Sequence, residues 1–70
     1  MSLLNRDVLT SKLKSLDATQ QSIEKITSWV LFYTREARTV VQVWLEELIR
    51  LPPDKKLAHL YLANHILQVL

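Results

Sequence analysis

The sequence predicts an all-α fold of consecutive antiparallel-like helices. Three observations carry this. Apolar residues recur at helical spacing in four segments, no stretch sustains apolar–polar alternation, and the segments are separated by short polar or proline-containing joints. The chain has 70 residues, 49% of them apolar, with nine basic and seven acidic residues and a formal net charge of +2. That composition belongs to a folded unit of at most one domain. A chain of this length buries only about 60% of the surface its unfolded form exposes, so its core is marginal without a disulfide, a metal or a partner.

Leu9, Leu13 and Leu16 recur at i, i+4 and i+7, and Asn5 is placed to cap the amides ahead of them, so the first helix is expected over 6–16. Asp17 and Gln20 have the D-x-x-Q spacing of a capping box, with Thr19 as a rival cap. Ile23, Ile26, Val30 and Tyr33 then mark one face of a second helix, over 19–34, which Trp29 and Phe32 widen. After a polar joint, Val40, Val41, Trp44, Leu45, Leu48 and Leu51 form the expected apolar face of a third helix, over 37–51, which stops at Pro52–Pro53. Pro53 suits a first helical turn because its missing N–H has no intrahelical partner there, and Asp54 adds a favourable charge, so the last helix is expected over 53–70. The four segments share periodicity but not sequence, which gives no support to a solenoid repeat.

The last segment carries two messages. Tyr61, Asn64, His65 and Gln68 fall at i, i+3, i+4 and i+7, which gathers them on one side of the helix. An aromatic ring, two amides and an imidazole can hold a peptide by stacking and by donating and accepting hydrogen bonds, so the stripe is the best functional candidate; the competing interpretation is a solvated face. Leu60, Leu62, Ala63, Ile66, Leu67, Val69 and Leu70 cover most of the remaining circumference, and a helix so apolar expects neighbours on more than one side. This predicts either a truncated domain or a homodimer or domain swap through the last helix.

Much chemistry is excluded. The chain contains neither glycine nor cysteine, which removes Gly-rich phosphate loops, disulfides, thiolate metal sites and cysteine nucleophiles. Neither G-x-S-x-G nor H-E-x-x-H occurs. His59 and His65 are six apart and lie on opposite sides of a helix, which argues against a metal site. Glu46 and Glu47 are adjacent, point in different directions, and are expected on a solvated surface rather than as an acid/base pair. No enzyme, cofactor or metal is therefore expected, and Trp29 and Trp44 are assigned to the core. The basic residues are spread along the chain, with only Arg50, Lys55 and Lys56 as a small cluster, so nucleic-acid binding is not expected from composition. Apolar runs such as 29–33 are far short of the ~20 residues needed to cross a bilayer, and no membrane anchor is expected.

Taken together, Thr19-Gln20-Gln21-Ser22-Ile23 opening the second helix, Trp29 within it, Val43-Trp44 in the third, and Lys56-Leu57-x-x-Leu60-Tyr61-Leu62-Ala63-Asn64 in the fourth form a specific combination. The sequence resembles the CTD-interacting domain family, which binds the carboxy-terminal heptad repeats of RNA polymerase II. Within it, the transcription-termination and pre-mRNA-regulation members are the most similar. The resemblance runs from about Leu9 to Gln68.

The resemblance implies a right-handed superhelical domain of the ENTH/VHS-like kind, of which residues 1–70 form the amino-terminal portion. Its concave groove holds a heptad peptide in a β-turn and reads serine phosphorylation. By resemblance, Tyr61 packs on the turn and its proline, and Asn64 hydrogen-bonds the peptide backbone. His65 stands where many members have aspartate, which exchanges an acceptor for a group that can donate. Gln20, Gln21 and Ser22 match the entrance of the second helix, where exposed N–H groups can meet a phosphate; their competing role is capping and solvation. The family's phosphoserine-recognising arginine lies in later helices, so weak binding and poor phosphate discrimination are expected of this chain alone. The resemblance thus implies a nuclear binding module in termination or RNA 3′-end processing. The alternative is a helical self-association or structural unit with no peptide-binding activity of its own.

Overall fold

The computed structural model describes residues 3–70, with helices α1 (Arg6–Ser15), α2 (Gln20–Val30), α3 (Ala37–Arg50) and α4 (Pro53–Val69), and a short 3-10 helix (Leu31–Glu36) joining α2 to α3. No strand occurs among the described residues, and the fold is all-α. Asn5 opens α1: its side-chain oxygen accepts from the Asp7 amide at 2.9 Å and the Val8 amide at 3.2 Å, supplying two of the partners that a helix start lacks. α1 ends at Ser15 because Leu16 is extended.

At α2 the rival caps are resolved in favour of Thr19, whose hydroxyl accepts from the Ser22 amide at 3.2 Å. Asp17 does not close a capping box. It instead accepts from the Thr19 amide and hydroxyl, while Gln20 reaches forward to Glu24 at 3.0 Å. α2 also stops earlier than the apolar spacing suggests. From Leu31 the chain tightens into 3-10 geometry, and Tyr33 leaves helical space at φ −118°, ψ 32°. That break turns Phe32 outward, 85% exposed, so it does not widen the buried face of α2.

Helices α1 and α3 pack together, as do α2 and α4. The core between them contains Leu9, Leu13 and Leu16 from α1 and its cap, Ile23, Ile26 and Val30 from α2, Val40 and Val43 from α3, and Ala58 and Leu62 from α4. Trp29, Tyr33, Trp44 and Ile66 pack against it from the edge. The Trp29 and Tyr33 rings meet at a centroid distance of 4.8 Å with a 47° tilt, a favourable aromatic geometry.

The inward face of α3 differs from the expected one. Val40, Val43 and Glu47 are buried, whereas Val41 and Leu45 are exposed. V-V-Q-V-W-L offers two overlapping helical stripes, and packing on α1 selects the one through Val43. In consequence Glu46 and Glu47 separate. Glu46 lies at the surface, 3.6 Å from Arg6, whereas Glu47 is buried with Arg50 at 3.6 Å. The expectation that both glutamates are solvated is corrected here for Glu47.

Candidate functional site

α4 starts after the extended Pro52, with Pro53 in its first turn and Asp54 adding negative charge there. The Lys56 ammonium donates to the Leu48 carbonyl at 2.8 Å, tying the start of α4 to the end of α3. Farther along, the Trp44 indole N–H donates to the His59 carbonyl at 3.2 Å. These two contacts, with burial of Ala58, His59 and Leu62, set the rotation of the helix about its axis.

With that side turned inward, Tyr61, Asn64 and Gln68 face solvent, and His65 is half-buried beside them. Tyr61 is 47% exposed. The stripe is thus an outward edge carrying one aromatic ring and three hydrogen-bonding groups, able to stack and to exchange hydrogen bonds with an extended chain. The apolar remainder of α4 is not enclosed. Leu57, Leu60, Leu67, Val69 and Leu70 are all exposed, so the four helices described do not supply the neighbours that so apolar a helix was expected to have.

The entrance of α2 forms a second group. Gln20 and Gln21 are exposed and Ser22 is half-buried. The Ser22 hydroxyl accepts from the Asp17 amide at 3.2 Å, and Gln20 is engaged with Glu24. Gln21 and Ser22 line a polar depression of about 340 Å³ with Lys12, Asp17, Thr19 and Lys25. Donation from the Thr19 hydroxyl and amide holds the Asp17 carboxyl below its ordinary value, so it stays ionised opposite the two lysines. Lys12 also lies 5.1 Å from the centre of the Trp29 ring, within cation–π reach.

Sequence reasoning did not single out Lys12 and Lys25. The signal was the Ser22–Lys25 separation of i, i+3, which places a cation one turn behind the helix entrance. The Tyr61–Gln68 stripe lines neither this depression nor the apolar groove bounded by Leu9, Trp44 and Ile66. The two candidate groups therefore occupy separate surfaces, on the two helices that pack against each other.

Among the described residues no group of three or more His, Cys, Asp or Glu side chains is placed to hold a metal ion. Among those residues no helix is long and apolar enough to cross a membrane. His59 is only 1% exposed, with Nε2 lacking a hydrogen-bond partner, and burial pushes its pKa below the ordinary 6.5, partly opposed by the nearby Glu47 carboxylate. Its ring stacks on Trp44 at 6.2 Å. This histidine belongs to the packing of α4 on α3.

The profile of the CID domain matches residues 7–70. The chain belongs to the CID domain family. This CID domain is 46% identical over 65 residues to the UPF0400 protein C337.03 of Schizosaccharomyces pombe, covering 93% of the present chain and 17% of that protein. It is 37% identical over 68 residues to the human regulation of nuclear pre-mRNA domain-containing protein 1A, covering 97% and 22% of the two chains. To the human regulation of nuclear pre-mRNA domain-containing protein 1B it is 35% identical over 68 residues, covering 97% and 21%. The chain spans about a fifth of the length of these relatives. CID domains are protein-interaction modules.

Proposed function

We propose that this CID domain binds the heptad-repeat tail of RNA polymerase II in the nucleus and serves transcription termination or RNA 3′-end processing. The observation that carries the reading is the presentation of Tyr61 and Asn64 on the outward side of an α4 whose inward side is anchored at His59 and Leu62. A ring held by an anchored helix gives a peptide proline a rigid contact at little entropic cost. An amide at i+3 both donates to and accepts from a peptide backbone that has no internal partners. His65 and Gln68 extend the same edge.

Phosphorylated serine adds a charge for which the α2 entrance is suited. Gln21, Ser22, Lys12 and Lys25 share one depression, and two ammonium groups beside a helix start favour an anion, with Asp17 opposing. Gln20 borders the same entrance. These contacts lack the planar fork of an arginine, so discrimination between phosphorylated and plain peptide is modest. The nuclear pre-mRNA names of the relatives support the cellular setting.

The test is an NMR titration of the chain with a two-repeat heptad peptide, plain and phosphorylated. Both peptides are expected to shift the amides and side chains of Tyr61, Asn64, His65 and Gln68, and the phosphorylated one additionally those of Gln20 to Ser22. Shifts confined to other helices, or none at millimolar peptide, reject the reading.

A further inference from the structure

His65 differs in kind from the other members of the α4 edge. Tyr61, Asn64 and Gln68 keep one charge state across the neutral range, whereas a histidine is neutral or positive within it. From Leu57 to Leu70 the helix contains no Asp, Glu, Lys or Arg, and its other histidine, His59, is turned in at 1% exposure. His65 is half-buried, stands one turn beyond Tyr61, and takes part in no hydrogen bond or ion pair among the described residues. The charged groups of the helices packed against α4 do not pair with it either. On α2, Glu24 accepts from Gln20 and Lys25 lines the polar depression; on α3, Glu46 pairs with Arg6, Glu47 with Arg50, and Arg38 is exposed in the first turn. On α4 itself Asp54, Lys55 and Lys56 belong to the first turn, about 13 Å or more along the axis from His65 and beyond the Debye length of ~8 Å at physiological salt.

We propose that His65 is the residue through which the α4 edge selects a phosphorylated peptide, by pairing its protonated ring with a phosphoserine one or two residues from the proline that packs on Tyr61. This rests on the peptide-binding reading of the edge given above. Cβ atoms one helical turn apart lie about 5–6 Å from each other, and an extended peptide advances ~3.3 Å per residue, which sets that register. The imidazolium donates a charge-assisted hydrogen bond to a phosphate oxygen, which neither Asn64 nor Gln68 can do. A histidine takes up its proton near 6.5 and a phosphoserine its second near 6, so the pair of opposite charges is most populated around those values. Selection by His65 therefore strengthens as pH falls from about 7.5 to about 6.5. Lys12 and Lys25 at the α2 entrance stay charged throughout, so a phosphate held there gains nothing over the same interval. The sign of the pH dependence separates the two surfaces.

NMR titrations of the chain with a two-repeat heptad peptide, plain and with one phosphoserine beside a proline, at pH about 7.5 and about 6.5, test this. The ratio of phosphorylated to plain affinity is expected to rise about threefold across that interval for the wild-type chain. His65→Gln is expected to lose the rise, and His65→Lys to hold a high ratio at both pH values. In the wild-type chain the His65 ring resonances are expected to titrate at higher pH with the phosphorylated peptide than with the plain one. That readout needs no variant, so it decides the question even where a substitution disturbs the helix. A ratio that stays level or falls, a rise that persists in His65→Gln, or a ring titration indifferent to the phosphate overturns the role of His65, while plain-peptide shifts at Tyr61 and Asn64 leave the docking edge in place. Absence of binding by either peptide overturns both.

Discussion

The Trp44 indole N–H donates to the main-chain carbonyl of His59 across 3.2 Å, so a side chain of α3 grips the middle of α4 by its backbone. Because the bond holds backbone rather than side chain, it fixes both the height and the rotation of α4. His59 is turned in at 1% exposure, and Tyr61, two residues on, is turned out at 47%. Trp44→Phe retains an aromatic ring but deletes the donor. The expected cost is about 1–2 kcal/mol, from one hydrogen bond and some lost packing, read as a lower urea midpoint at unchanged slope. An unchanged midpoint shows that the indole bond does not hold α4.

Acidification acts through His59. The unfolded chain takes up a proton near 6.5, whereas the buried ring, its pKa lowered by desolvation, stays neutral to lower pH. Between those two values the unfolded state binds more protons, so stability rises with pH there. His59 therefore leaves stability intact above about 6.5 and erodes it as pH falls from there toward the lower folded value. Urea denaturation at neutral and mildly acidic pH should show that loss, and His59→Phe should reduce it. Equal pH dependence in the variant rules out His59 as the source.

Two leucines separate core from surface. Leu9 is 0% exposed and Leu67 73% exposed, although both border the apolar groove. Leu9→Ala should cost about 2–5 kcal/mol, enough to unfold much of a domain this small, while Leu67→Ala should change monomer stability by no more than about 0.5 kcal/mol. Thermal circular dichroism at low micromolar concentration distinguishes them. Comparable losses in both variants refute this placement of the core.

Lys25 offers a charge-specific test at the α2 entrance. Lys25→Ala should weaken binding of a phosphorylated heptad peptide a few-fold, leave the plain peptide unaffected, and flatten the salt dependence of the phosphorylated one. Calorimetric titrations at two ionic strengths check this. Equal weakening of both peptides would remove the phosphate role from the depression.

The helical class was legible because leucines at i, i+4 and i+7 in α1 and the proline pair ahead of α4 act locally. The inward face of α3 was not, since Val41 and Val43 lie on stripes of comparable hydrophobicity and only contact with α1 chooses between them. Burial of Glu47 followed from that same rotation. The end of α2 was hidden too, because Leu31 to Tyr33 continue the apolar run while the backbone tightens into a 3-10 turn. At the candidate site, the Tyr61–Gln68 spacing marked an exposed edge. Lys12 was invisible at that level because it comes from a different helix and reaches the α2 entrance only after folding.

The most direct measurement is the affinity of a two-repeat heptad peptide for the wild-type chain and for Tyr61→Ala and Asn64→Ala, with helicity measured on the same samples. Both side chains are exposed on an anchored helix, so truncation should leave the fold intact while each substitution costs about 1–3 kcal/mol of binding, a loss of roughly 5- to 150-fold. Wild-type affinity in both folded variants would contradict the assignment of the outer edge of α4 as the peptide-binding surface.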